Sequence, residues 1–298
     1  MIKREMYLKE IRNFIDKPII KVITGMRRSG KSMILKLISQ ELLEKGINSQ
    51  NIIYINFESL MFSELTEFKK LYSYIIEKSQ TLSGKVYILL DEIQEVQFWE
   101  KAINSFMVDL DCDIYITGSN ANLLSSELAT YIAGRYIEIK IYPLSFKEFI
   151  EFSKVNNPQQ VLNTEEYFEQ YLQFGGLPGI HNFNYDKTSI YQYLSDIYSS
   201  ILLKDVIARN NIRDIDLLER IILYIFDNIG NTFSVKNVSD FLKSQGRKLS
   251  RETVYNYLKA LENAYILSKI QRFDIKGKAI LETMEKFYLT DLGFRHAK

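Results

Sequence analysis

The sequence predicts an α/β fold: a parallel five-stranded sheet sandwiched by helices, followed by a helical segment and a small module of three helices and a hairpin. Three observations predict it. Five runs rich in β-branched and aromatic residues, at 19–24, 52–57, 86–90, 113–117 and 136–142, alternate with stretches of helical spacing. The first run feeds directly into Gly25-Met26-Arg27-Arg28-Ser29-Gly30-Lys31-Ser32, a glycine-bounded loop that opens an amphipathic stretch. Near residue 150 the alternation stops and apolar spacing becomes helical.

In chain order, residues 6–16 carry Leu8, Ile11 and Ile15 at helical spacing and predict a short helix packed on the sheet. The first strand and its loop come next. The loop fills the pattern of a glycine, four residues, then Gly-Lys-Ser, and the helix at 33–45, closed by Gly46, completes a strand-loop-helix unit. Such a loop suits a phosphate: glycines let successive backbone N–H groups point inward, and the helix N-terminus adds partial positive charge. Lys31 is placed to reach β- and γ-phosphates, and the Ser32 hydroxyl to ligate Mg²⁺.

The second strand ends at Asn56 and Glu58, on the sheet edge where ligands collect in open α/β folds. Glu58 reads as solvent-facing. After a helix at 65–80, the run Val86-Tyr87-Ile88-Leu89-Leu90 ends in Asp91 and Glu92, two acids with no packing reason to be there. Downstream of a phosphate loop they suit a Mg²⁺ ligand, Asp91, and a general base, Glu92, that polarises an attacking water. Gln94, Glu95, Phe98 and Trp99 lead into another helix. The fourth strand ends in Thr117-Gly118-Ser119-Asn120, and either Ser119 or Asn120 suits a γ-phosphate sensor. Residues 123–133 have helical spacing. Arg135 then stands between helix and strand, either as an arginine delivered to a neighbour's γ-phosphate or as a surface cap of the helix C-terminus.

From 146 to about 209 the pattern is helical, interrupted at Gly175-Gly176-Leu177-Pro178, which reads as a hinge-like break or, more simply, as a helix–helix corner, and ending in a long aromatic-rich helix at 185–207. Helices at 217–229, 235–245 and 251–264, then strands at 266–273 and 280–290, give the winged-helix pattern. Arg247, Lys248 and Arg251 near its third helix, with Arg272, Lys276 and Lys278 in the wing, suit phosphates and a major groove. Glu252, Glu262, Glu282 and Glu285 dilute that charge, so a protein partner stands beside DNA as the alternative. The expected divisions are 1–150, a P-loop core; 151–210, a helical lid or linker; and 211–298, the winged-helix module.

Composition narrows the classes. The 298 residues hold 38 Lys plus Arg against 37 Asp plus Glu, so no global field draws the chain to nucleic acid or membrane. One cysteine, Cys112, forms no internal disulfide, and two histidines leave no zinc constellation. With no apolar run of signal-peptide or membrane-spanning length, the expectation is a cytoplasmic protein without a membrane partner.

Taken together, these residues resemble the bacterial and archaeal AAA-like P-loop ATPases often described only as ATP-binding proteins. The resemblance runs through the loop from Gly25 to Ser32, Leu90-Asp91-Glu92-Ile93-Gln94, Thr117-Gly118-Ser119-Asn120, Gly134-Arg135-Tyr136, Pro143-Leu144-Ser145-Phe146 and Gly175-Gly176-Leu177-Pro178. It implies an AAA-like core with a C-terminal winged helix, ATP and ADP as ligands with Mg²⁺, and adenine as the base. By similarity, Gly25, Arg28, Ser29, Gly30, Lys31, Ser32, Met33 and Asn120 bind the nucleotide, Ser32 and Asp91 the metal. Glu92, Lys31 and Arg135 act in catalysis, Arg135 as an arginine finger, and Asn56 restrains Glu92. Family members usually continue into a nuclease-like domain that this sequence does not include.

Two functions follow from the sequence. One is a Mg-dependent ATPase whose turnover switches a winged-helix module associated with DNA. The other is a nucleotide-dependent DNA- or protein-binding module with negligible turnover. A homo-oligomer is the expected setting for Arg135.

Overall fold

The computed structural model describes residues 2–121, 134–244, 250–274, 277 and 279–296. The chain divides into two compact units, Met1–Gly25 with Ser29–Tyr142, and Met26–Arg28 with Pro143–Lys298.

In the first unit, β1 (Ile20–Gly25), β2 (Ile52–Asn56), β3 (Val86–Asp91), β4 (Cys112–Gly118) and β5 (Tyr136–Ile141) form one sheet in the order β2-β3-β4-β1-β5. Every pairing is parallel. Strands β1 and β3 are buried along their whole length, as their unbroken apolar runs require. Alternation divides the side chains between two cores. Ile20, Val22, Ile55, Ile88 and Ile116 face α3 (Phe68–Ser79) and α4 (Trp99–Asp109). Ile23, Leu89 and Tyr115 face α1 (Glu5–Arg12) and α2 (Lys31–Glu44). Each such side chain removed from water contributes about 1.5–3 kcal/mol.

Several helices differ from the sequence expectation. The helix expected at 6–16 stops at Arg12, because the chain turns back through Asp16 at φ 61°, whose N–H donates to Asp113 at 2.9 Å. The helix expected at 33–45 starts two residues earlier, at Lys31, with Gly30 in the left-handed region as its N-cap. The helix expected at 65–80 starts at Phe68, since Leu60–Leu65 forms a 3-10 turn that buries nothing. The helix expected at 123–133 lies outside the described residues.

At the end of the sheet where β1 begins, the Lys21 ammonium, wholly buried, pairs with Asp113 of β4. Asp113 also accepts from the Tyr115 hydroxyl at 2.8 Å. Burial pulls Lys21 below the usual lysine range, against the pull of Asp113. Nearby, burial pushes the Cys112 thiol up to about 12, so this cysteine stays protonated and unreactive.

The second unit begins with α5 (Phe146–Asn156) and α6 (Thr164–Phe174), each opened by a capping box, Ser145 with Glu148 and Asn163 with Glu166. A 3-10 turn at Pro178–Phe183 precedes α7 (Lys187–Ile201), which continues into a π-helical turn, Leu202–Ala208, in place of the single helix expected at 185–207. Asp205 in that turn is buried and accepts from Arg27 Nε at 3.0 Å, with Arg209 at 3.3 Å. Then come α8 (Ile215–Asp227), β6 (Thr232–Phe233), α9 (Val235–Ser244), α10 (Arg251–Asn263), β7 (Leu267–Asp274), β8 (Ala279–Leu289) and α11 (Gly293–His296). The three strands pair antiparallel in the order β6-β8-β7. Two residues long, β6 carries too little periodicity to read from sequence.

Gly175 and Gly176 sit in a closely packed corner. Gly175 has φ 75°, and a side chain there would overlap the Asp291 carboxylate; one at Gly176 would overlap the backbone of Leu144. Asp291 Oδ2 accepts from Gly176 N at 2.8 Å and Oδ1 from Gly293 N at 2.9 Å. The corner is packed between Leu144 before it and Asp291 and Gly293 after it. No helix among the described residues is long and apolar enough to cross a membrane.

Candidate functional site

The parallel register brings the polar ends of β1, β3 and β4 to one edge of the sheet. β1 ends at Gly25, whose φ of 139° and contact with Ile141 leave no room for a side chain: a Cβ would overlap the Ile141 carbonyl. Arg28 at φ 65° and Gly30 at φ 103° complete the bend. Lys31 is the first residue of α2, only 3% exposed, and its Nζ lies 3.6 Å from Glu92 Oε1. Ser32 is half-buried in the same turn. Met33 and Arg28 are exposed.

Asp91, fully buried at the end of β3, is held by three donors. The hydroxyls of Tyr54 and Thr117 lie at 3.0 and 2.6 Å and the Asn56 amide at 3.1 Å. Burial, then the nearby Asp91 charge, pushes the Tyr54 phenol well above its usual range, so it remains a donor. The next residue, Glu92, takes a left-handed backbone at φ 57°, and its N–H donates to Thr117 Oγ1 at 2.9 Å. One hydroxyl thus orients both acids.

The expectation that Asn56 restrains Glu92 is corrected. The β2–β3 register sets Asn56 opposite Asp91, where its amide donates, while its Oδ1 accepts from Glu58 N at 2.8 Å. Glu92 has Gln94 beside it, whose amide donates to Oε2, as well as Lys31 on Oε1. Tyr54, Thr117 and Gln94 are the residues sequence reasoning missed. Tyr54 sits two positions before Asn56 and so shares its face of β2, a signal that was available; Thr117 lies one position beyond the pair Leu90 and Ile116.

Gly118 pairs with Thr24, which puts Ser119 and Asn120 next to the start of the loop, 1% and 2% exposed. Arg135 is not brought to this edge. It precedes β5, at the opposite end of the sheet, where its guanidinium donates to Asn104 Oδ1 at 3.2 Å. A strand of this length spans about 17 Å.

The residues present fit a nucleotide with Mg²⁺. The buried hydroxyls of Ser29 and Ser119 have no hydrogen-bond partner among the described residues, and a buried polar group without a partner costs about 1–3 kcal/mol unless something else satisfies it. The loop is a glycine cradle, and the donors beside it, the Ser32 hydroxyl and the Asp91 carboxylate, are the hard oxygens that Mg²⁺ prefers.

A glycine-bounded loop leaving the first strand of a five-stranded parallel sheet, with its lysine facing an acid at the end of another strand, defines the P-loop NTPase fold. A family described as an AAA domain matches residues 17–150, and a domain of unknown function (DUF8612) matches residues 165–298. The chain is 41% identical to an uncharacterized protein of Haemophilus influenzae over 99% of this chain and 73% of that protein. It is 33% identical to the uncharacterized protein MJ1544 of Methanocaldococcus jannaschii over 98% of this chain, and it spans 64% of that relative's length. Among solved structures, a RuvB mutant of Thermotoga maritima is similar at 17% identity and a TM-score of 0.46, covering 94% of this chain and 93% of that one. AMPPCP-bound DnaA from Aquifex aeolicus is similar at 13% identity and a TM-score of 0.45, covering 87% and 86%. The chain belongs to the AAA-like P-loop ATPases.

Proposed function

We propose that the protein binds Mg-ATP on the loop from Gly25 to Ser32 and hydrolyses it, the turnover driving a conformational switch coupled to the module at 211–298. The observation that carries this reading is the meeting of Lys31 and Glu92, 3.6 Å apart and both buried, beside an Asp91 fixed by three donors. Lys31 binds the β- and γ-phosphates, with the backbone of Ser29 and Gly30 around them and Arg28 and Met33 at the rim. Ser32 and Asp91 hold Mg²⁺, which when bound offsets phosphate charge. Glu92 takes the proton of the attacking water, and Ser119 or Asn120 registers the γ-phosphate. Arg135, a sheet's length away, acts on the site of a neighbouring copy, which makes the working form an oligomer.

The test compares ATP turnover and nucleotide binding in the wild type, Glu92→Gln and Lys31→Ala. Glu92→Gln is expected to lower turnover about 10²- to 10⁴-fold while nucleotide binding persists, and Lys31→Ala to lose binding. Wild-type turnover no faster than that of Lys31→Ala, with and without DNA, overturns the enzyme reading.

A second reading, a nucleotide-dependent DNA-binding module, is supported by one observation. The three-stranded sheet carries a concavity whose lining residues, Thr232, Ile270, Gln271, Arg272 and Lys286, include two basic ones. The order helix, strand, two helices and two strands suits a winged helix. Lys276, Lys278, Arg247 and Lys248 lie outside the described residues. Binding of duplex DNA that weakens steeply with salt supports this reading; no binding at low salt overturns it.

A further inference from the structure

We propose that Arg4 is a positioning residue of the nucleotide site, holding the peptide between Ser29 and Gly30 so that the Gly30 N–H faces the phosphates. The inference rests on the nucleotide reading above and assigns a role to a residue outside every motif in the sequence.

Arg4 precedes α1 and is only 4% exposed, unusual for an arginine. Its Nη1 donates to Ser29 O at 3.0 Å and to Tyr142 O at 3.0 Å, and its guanidinium lies 4.6 Å from the centre of the Tyr7 ring. The Tyr7 hydroxyl in turn accepts from Tyr142 N at 3.0 Å. One buried cation therefore ties the middle of the loop to the end of β5, the strand whose Ile141 carbonyl already confines Gly25.

Peptide geometry gives this tie its consequence. In a trans peptide the C=O and the following N–H point in opposite directions. Fixing Ser29 O toward Arg4 turns the Gly30 N–H the other way, to the side of the loop away from Arg4. Gly30 is the residue that makes such a lock necessary: a glycine populates positive and negative φ about equally, so this peptide flips at little steric cost. Gly30 sits at φ 103°, one of two conformations open to it, and Arg4 selects it. A flip turns a carbonyl oxygen toward an anion in place of a donor.

The test measures Kd for ATP and ADP, KM and kcat for ATP, and Tm in the full chain for the wild type, Arg4→Ala, Arg4→Gln and Arg4→Lys. Arg4→Ala and Arg4→Gln are expected to raise Kd and KM about tenfold, with kcat at saturation held within about twofold. Arg4→Lys, which keeps a charged donor, recovers most of that loss. Should Arg4→Ala fail to fold, Arg4→Gln carries the same expectation. Unchanged Kd, or a loss in which kcat and Tm fall along with the rise in KM and lysine gives no rescue, overturns the positioning role. A wild type that binds no nucleotide overturns the parent reading instead.

Discussion

A single hydroxyl, that of Thr117, joins the two acids of the site, donating to Asp91 and accepting from the Glu92 backbone. Valine has nearly the same shape and neither function. Thr117→Val is therefore expected to destabilise the protein by about 1–3 kcal/mol, since it leaves a buried carboxylate oxygen and a buried N–H without their partner. Urea unfolding at unchanged m measures the loss, and Thr117→Ser, which retains the hydroxyl, is expected to regain most of it. A Thr117→Val protein as stable as the wild type removes Thr117 from this role. The sequence displayed this residue, in Thr117-Gly118-Ser119-Asn120, but not its partners. Which side chain meets Asp91 depends on strand register, and a shift of one position would have presented Ile116 instead. The same logic defeated the expectation for Asn56, whose chemistry was legible and whose target was not.

Among the elements, the strands were the most legible, because β-branched runs in β1 and β3 are buried on both faces and have no competing periodicity. Helix starts were less so. α2 begins at Lys31 because Gly30 adopts a left-handed cap, a backbone choice that apolar spacing does not encode. The position of Arg135 was legible in principle: a residue just before a parallel strand lies at the end opposite a loop that follows one. Strands β1 and β4 are also joined by the buried pair of Lys21 and Asp113, which sequence spacing, 92 residues apart, does not reveal. Removing one partner leaves the other charge buried, so Asp113→Leu is expected to cost about 3–5 kcal/mol. The double variant Lys21→Met with Asp113→Leu is expected to recover part of this, and a double-mutant cycle of unfolding free energies measures the coupling. Strict additivity of the two changes excludes a coupled pair.

At the scale of the molecule, Asp291 gives the second unit a pH dependence. Burial pushes its carboxyl up to about 6, outweighing the backbone donors of Gly176, Gly293 and Leu177, which pull it down. In the unfolded chain the group returns to about 3.8. Between these values the folded state holds a proton that the unfolded state has lost. The contribution is therefore complete below about 3.8 and is lost as pH rises through about 6. Thermal unfolding is expected to shift to higher temperature as pH falls from 7 to 5, and Asp291→Asn to flatten that slope relative to the wild type. Equal slopes in the two proteins exclude Asp291 as the source. The glycines of this corner suggested mobility in the sequence because the atoms that fill the space beside them are remote in the chain, Asp291 beside Gly175 and Leu144 beside Gly176.

That separation also orders events on the ribosome. Gly176 and Asp291 are 115 residues apart, and at about 5–20 residues per second the second partner leaves the exit tunnel roughly 6–23 s after the first. Through that interval the amides that Asp291 will engage stay hydrated, and α6 waits for the Gly293–His296 helix that packs on it. The phosphate loop and its strands are finished well before then, so the amino-terminal half matures first and the remainder closes only once residue 291 has left the exit tunnel.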